Sequence, residues 1–239
     1  MAGNRNSRVR PAARAAARQP AASVATPAPA APAPARRADH VEDTRRAILA
    51  AARRAFARKG YAETSLEDIV SPARLTKGAL YHHFTSKAAV FEALYVEMSN
   101  NLLEEVGAAL AAAGDDPWKQ MIAALHAFFE ASAEPDYVRI VLHDAPHVMG
   151  TIHGRELDQS IGLSFVTRMV QGLCDAGLLP VMPVAATARM LLAVTGELAI
   201  AMAYAPDQEL ARREGTQVVL VLLEALRARA ESQAGKRRK

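Results

Sequence analysis

The segment Thr76-Lys77-Gly78-Ala79-Leu80-Tyr81-His82-His83-Phe84 carries the residues best suited to chemistry on a nucleic acid. Read as a helix, it puts Leu80 and Phe84, four apart, on one face and leaves Thr76, Lys77, Gly78, Tyr81 and His82 on the other. Lys77 can donate to guanine or to a phosphate, while Gly78, lacking a side chain, lets the backbone approach base edges. Thr64 and Ser65, at the start of an earlier helix, can hold phosphates together with Tyr81, His82, Lys87 and Arg45 or Arg46, positioning the protein without reading sequence. The plainer alternative is that Tyr81, His82 and His83 only cover a small hydrophobic domain.

Rival chemistries lack their residues. His143-Asp144-Ala145-Pro146-His147, with His153 beyond, places two histidines at i and i+4 as a metal site would, but Pro146 distorts that helix and no cysteine is near. No metal is expected. HExxH, a Glu-x-x-His pair, a P-loop, GxSxG and a strand-linked GxGxxG are all missing, which leaves no enzyme class and no cofactor to argue for. The single cysteine, Cys174, lies in an apolar stretch with no adjacent Lys or Arg and reads as a buried, inert thiol.

Positioning the first group requires helices, and periodicity supplies them. Ile48, Leu49, Ala52 and Phe56 recur on one helical face that begins near Asp39, and Lys59-Gly60 reads as that helix's end. Ser65, with Asp68 three residues later, reads as the cap of a second short helix; Thr76 caps a third, and Ser86 opens a long fourth. Two short helices joined by a tight turn form a helix-turn-helix pattern. Beyond it the chain reads as helical, with breaks at 114–117, 134–135, 146–154, 177–183 and 206–207, about nine helices in all and no period-2 strand.

The chain's 239 residues, 51% hydrophobic and 23% charged, hold two modest domains at most. The formal charge of +4 is unevenly divided. Residues 1–38 hold seven arginines and no acid; residues 39–88 hold nine Lys/Arg against six Asp/Glu; residues 89–235 hold nine against nineteen; Lys236 to Lys239 add four cations. A basic front on an acidic body points to a polyanion partner at the N-terminal end. Residues 1–38, rich in Ala, Pro and Arg, read as a disordered tail that brushes phosphates non-specifically, since their six scattered prolines disfavour the amphipathic helix of a transit peptide. The longest apolar stretch, Val184 to Ala205, is interrupted by Arg189 and Glu197, short of the roughly 20 uncharged apolar residues a membrane helix uses. A soluble, cytoplasmic protein with no membrane partner is expected.

From Thr64-Ser65-Leu66-Glu67-Asp68-Ile69-Val70 through Leu75-Thr76-Lys77-Gly78-Ala79-Leu80-Tyr81-His82-His83-Phe84-Thr85-Ser86-Lys87, with Gly60 ahead of them, the sequence resembles the TetR/AcrR family of one-component bacterial transcription regulators. The resemblance runs from Asp39 to Lys87 and is only architectural beyond. It implies a homodimer that binds a palindromic double-stranded operator and represses until a small-molecule effector enters the C-terminal domain. Pro72 and Arg74 depart from the alanine and glycine usual in the family. Pro72 costs up to about 3 kcal/mol inside a helix, and Arg74 roughly 1 kcal/mol in a left-handed backbone.

The expected fold is all-α. Residues 39–88 form a three-helix helix-turn-helix DNA-binding domain, 89–230 a helical effector-binding and dimerisation domain, and 231–239 a basic tail. Trp118, Met121, His126, Phe128, Phe129, Tyr137, His143, Phe165 and Met169 mix apolar and polar character as an effector cavity requires, although a helical core needs the same types. Arg139, Asp144 and Arg155 are the polar groups able to orient a ligand. Helices over about 183–230, carrying Ala193, Gly196, Ala199, Ala201 and Ala203, are expected to pair across a two-fold axis, so that glutamate at Ala199 gives monomers. The alternative, a non-sensing architectural DNA-binding protein, would not need the long acidic helical half.

Overall fold

Hydroxyl caps start three helices where the sequence places them. In the computed structural model, which describes residues 34–237, Ser65 accepts from the Asp68 N–H while the Asp68 carboxylate accepts from the Ser65 N–H, closing a capping box on α2 (Leu66–Val70). Thr76 caps α3 (Lys77–His83) through the Ala79 N–H, and Ser86 caps α4 (Lys87–Ala112) through the Ala89 N–H. Ahead of them α1 (Pro34–Glu63) kinks at Gly60, whose φ of 78° and ψ of 168° lie where only glycine is at ease. This helix starts at Pro34 rather than near Asp39, so it takes in residues 34–38 of the tail expected over 1–38; residues 1–33 of that tail lie outside the described residues.

The turn between α2 and α3 absorbs both unusual residues. The Val70 carbonyl accepts from the Leu75 N–H (2.9 Å) and the Ser71 carbonyl from the Arg74 N–H (3.1 Å), the paired bonds that close a helix through a left-handed residue. Arg74 is that residue, at φ 55°. Pro72 is exposed in the turn, outside α2, so its missing N–H is not taken from the helix interior. Arg74→Gly is expected to raise stability by about 1 kcal/mol, seen as a higher urea midpoint with unchanged slope. A lower midpoint would mean that the arginine's contacts outweigh its backbone strain.

Downstream follow α5 (Pro117–Ser132), α6 (Pro135–Tyr137), a π-helical segment (Val138–Asp144), α7 (Ala145–Met149), α8 (Thr151–Asp175), α9 (Val184–Ala203) and α10 (Gln208–Arg237). α6, the π segment and α7 run on without interruption, so the described residues form nine helical stretches and no strand. The break expected over 146–154 narrows to Gly150, φ 77°. In the π segment the Ala145 N–H bonds to the Ile140 carbonyl, five residues back, and this wide turn ends immediately before Pro146, which has no N–H to contribute. α10 continues to Arg237, into the stretch expected to be a basic tail.

α4 is the spine. Its Val90, Phe91, Leu94 and Tyr95 join Ile48, Leu49, Ala52, Phe56, Ile69, Leu80 and Phe84 in one core that also takes in Ile140, Val141 and Ala199. The expected face of α1 is fully buried, and Phe56 meets Phe91 edge-on at 5.4 Å between centroids. A second core joins α5, α8, α9 and α10 around Trp118, Met121, Phe129, Val170, Leu173 and Leu223. α9 has the length and mean hydropathy (1.5) to cross a membrane, yet only 17% of that window is buried against the rest of the chain. Ala199 is part of the buried core at 3% exposure, so glutamate there would disrupt packing and could not report on an interface as expected.

Candidate nucleic-acid interface and helical cavity

α3 presents its polar side outward because Leu80 and Phe84 fix the other side in the core. Thr76, Lys77, Gly78, Tyr81 and His82 are all exposed, Tyr81 by 54%. A Cβ added at Gly78 would meet only Thr76 Oγ1, at 3.7 Å, so nothing within the chain requires glycine there. Lys77 Nζ lies 3.3 Å from Glu67 Oε2 with both groups exposed, a weak pair that a phosphate can displace. Arg45 is half-buried, its guanidinium 5.7 Å from the Phe84 ring centroid. Ser65 is exposed but committed to Asp68, whose carboxyl is held well below its ordinary pKa by Lys59 and by the Ser65 N–H.

Two expected phosphate contacts are corrected. Thr64 is 1% exposed, its hydroxyl against the carbonyls of Gly60 (2.7 Å) and Ala55 (3.2 Å). Lys87 turns inward: Nζ donates to the carbonyls of Tyr61 and Thr64, both at 2.8 Å, and sits 4.2 Å above the Tyr61 ring centroid. It closes the C-terminal end of α1, where free carbonyls favour a cation. Both residues hold the helix ends that orient α3.

A cavity of about 500 Å³ opens among α4, α5, the π segment, α8 and α9. Leu102, Phe128, Val141, Leu142, Leu192 and Ile200 form much of its apolar wall; Tyr95, Ser99, Tyr137, Arg155, Asp158, Gln159, Arg189 and Glu197 are its polar groups. Of the expected lining residues, Phe128 and Tyr137 are there. Trp118, Met121 and Phe129 are buried in the second core, and Phe165 and Met169 pack around Leu102 and Val106. His126 is exposed, while His143 lies outside the cavity, with Nδ1 2.9 Å from Asp144 Oδ1 and its ring against Tyr204. The wall is instead opened by small residues, Gly154, Gly162, Ala193 and Gly196.

Sequence reasoning missed Tyr95, Ser99 and Asp158. The Tyr95 hydroxyl donates to Asp158, and Ser99 Oγ is buried without a hydrogen-bond partner. Burial raises the Asp158 pKa, against the opposing Tyr95 bond. Burial first, and the Asp158 charge second, push the Tyr95 and Tyr137 phenols up. The available signal was a pair of polar residues, Tyr95 and Ser99, one turn apart on an otherwise apolar helix face.

The helical stretch that walls the cavity also holds α1. Asp144 Oδ2 accepts from the Tyr61 N–H (2.7 Å) and lies 3.8 Å from Arg139 Nε, whose guanidinium covers Gly60 so closely that a Cβ there would collide with it. Arg53 Nε donates to Asp136 Oδ2 at 2.8 Å. His153 pairs with Glu92 (3.2 Å) rather than with His143 and His147, and among the described residues no three His, Cys, Asp or Glu are placed to hold a metal ion. Cys174 is half-buried, its thiol pushed up by burial and then by Asp175, the opposite of an activated thiolate.

Comparison with known proteins assigns both halves. The profile described as "Bacterial regulatory proteins, tetR family" matches residues 48–94, and "Tetracyclin repressor-like, C-terminal domain" matches 118–226. HTH-type transcriptional regulator TtgR of Pseudomonas putida is 45% identical over 56 residues, 23% of this chain and about a quarter (27%) of that relative's length. The crystal structure of a TetR-family transcriptional regulator from Pectobacterium atrosepticum is 30% identical, with a TM-score of 0.71 over 79% of this chain and 96% of that one. RolR, solved in complex with resorcinol, shares the fold at 16% identity, with a TM-score of 0.59 over 81% of this chain and 95% of its own.

Proposed function

The chain belongs to the TetR family of DNA-binding transcriptional regulators, a non-enzymatic family, and on that premise we propose that it is a cytoplasmic repressor. In this reading it binds a palindromic operator as a homodimer and is released by a small molecule entering the cavity between α4 and α9. One observation carries the release: Tyr137, Val141 and Leu142 line the cavity on the same helical stretch whose Asp136, Arg139 and Asp144 hold α1. A ligand that displaces this wall moves the mount of the DNA-reading helices, and it does so to the extent that it binds the moved state more tightly. RolR, which shares the fold, was solved in complex with resorcinol, and this supports a small-molecule ligand for the chain.

DNA reading falls to residues 39–88, with Arg45, Ser65, Thr76, Lys77, Gly78, Tyr81 and His82 as contacts, and sensing and pairing to residues 89–230. The dimer forms on α9 and α10, where Met190, Leu210, Val218, Val221 and Leu222 are each at least half exposed in the single chain. Two α3 helices then meet successive major grooves about 34–36 Å apart. Selection from a random duplex pool tests the reading: a palindrome with half-sites about one helical turn apart supports it, and unpatterned, salt-sensitive binding overturns it.

Tyr81→Ala and Lys77→Ala are each expected to weaken operator binding by about tenfold or more without changing the melting temperature, because both side chains are exposed. Lys87→Ala is expected to do the reverse first, lowering the melting temperature through the uncapped α1. Unfolding of the Tyr81 variant would make that residue structural. Binding is measured by anisotropy of a labelled operator and melting by circular dichroism.

A further inference from the structure

We propose that Arg74 is a contact to the operator's phosphate backbone, kept in spite of the strain in the turn that carries it. This deepens the operator-binding reading above and rests on it. Arg74 is the one residue other than glycine at positive φ among the described residues; the remaining left-handed positions are Gly60, Gly114, Gly150 and Gly177. Its N–H donates to the Ser71 carbonyl and the Leu75 N–H to that of Val70, so the turn's own hydrogen bonds hold the left-handed backbone. A strained residue that its surroundings hold in place points to a use for its side chain. That use is not found within the chain. Arg74 is exposed, and no hydrogen bond or ion pair among the described residues involves its guanidinium. Both acids of α2 are taken by other cations, Glu67 by Lys77 at 3.3 Å and Asp68 by Lys59 at 2.5 Å. From Ile69 to Phe91 the sequence holds no Asp or Glu, so no acid of α3 or of its flanking turns competes for the guanidinium.

Placement supplies the partner. In a helix-turn-helix the reading helix puts its N-terminal residues against base edges while the helix before it crosses the backbone, and Arg74 lies in the turn that joins the two. It stands two residues ahead of Thr76, within about 7 Å of it along the chain. The major groove is about 12 Å wide, so with Thr76, Lys77 and Gly78 at base edges the turn sits at the groove's rim, where a phosphate strand runs. A guanidinium binds a phosphate through paired N–H donors, and every duplex offers that phosphate whatever its sequence.

Anisotropy of a labelled duplex, read on the full-length protein between about 50 and 200 mM salt, tests this on two probes: the duplex that the unaltered protein selects from the random pool, and a random-sequence duplex. For Arg74→Gly the plot of log affinity against log salt is expected to be shallower by about 1.8 on the selected duplex, two contacts per dimer at about 0.9 each, so that the loss of affinity is about tenfold greater at the low-salt end than at the high. Arg74→Met should match Arg74→Gly, and Arg74→Lys should retain most of the slope, because charge rather than backbone relief sets the effect. Arg74→Gly relieves the turn, so a melting temperature at or above that of the unaltered protein excludes misfolding as the cause. Should it melt lower, the comparison of Arg74→Met with Arg74→Lys, which share the backbone strain, still decides. An unchanged slope for Arg74→Met, or equal loss in Arg74→Lys, overturns the proposal. So does a changed base preference when Arg74→Gly is put through the same selection, since that makes Arg74 a reader of bases. Failure of the unaltered protein to select a palindrome removes the operator reading; a slope made shallower by Arg74→Gly on the random-sequence duplex then keeps the phosphate contact, and an unchanged one overturns it as well.

Discussion

Asp144→Ala is expected to destabilise the protein by about 2–4 kcal/mol, the largest loss from any single polar side chain on the contact between α1 and the π segment. The carboxylate is one-tenth exposed and accepts from the Tyr61 N–H at 2.7 Å and from His143 Nδ1 at 2.9 Å. Alanine strands the Tyr61 donor, worth about 1–3 kcal/mol by itself, and removes a charge-assisted bond of roughly double the ordinary strength. Arg139, left over Gly60, loses its anion. Asp144→Asn keeps one carbonyl for the Tyr61 N–H and should lose about half as much. Urea denaturation checks both; a loss under about 1 kcal/mol for alanine would show that water replaces the carboxylate. The response to a ligand should weaken in step, since the polar ties between α1 and the cavity wall are then reduced to Arg53 and Asp136, a half-exposed pair.

Leu222→Glu is expected to separate the dimer and to cut operator affinity by about a thousandfold, the span between specific and non-specific binding being roughly 10³–10⁷. In the single chain Leu222 is 55% exposed, so the substitution costs the monomer's fold little. Across a two-fold axis it would bury two carboxylates, each facing an apolar α10 stripe. Light scattering on the purified variant reads the mass directly, with the melting curve as the folding control. An intact dimer would move the interface off α10.

Caps were the most legible feature of the sequence. Ser65, Thr76 and Ser86 each act on a backbone N–H three residues away, so the bond is written in the local sequence. Leu80 and Phe84 were legible for the same reason, and Gly60 because its φ excludes other residues. Thr64 and Lys87 were read as phosphate contacts because residue type alone cannot show that their partners are carbonyls at the end of α1. The cavity was the least legible part. Trp118, Met121 and Phe129 fill space, whereas the cavity exists where Gly154, Gly162 and Gly196 do not, and the Tyr95–Asp158 contact joins residues 63 apart. Ala199 failed as an interface probe because a stripe of small residues shows that something packs closely, not whether it belongs to the same chain.

The π segment can also be regarded as an inserted residue. One position more than an α-helix needs is accommodated between Val138 and Asp144, and each residue added to or taken from an α-helix turns everything beyond it by about 100°. Removing one would therefore rotate Asp136, the anchor of Arg53, away from α1 whenever Leu142 and Ala145 kept their place against the cavity. One rod can face two differently oriented surfaces only because its winding changes between them. In lineages that share this architecture, the length of this stretch should be harder to alter than its composition.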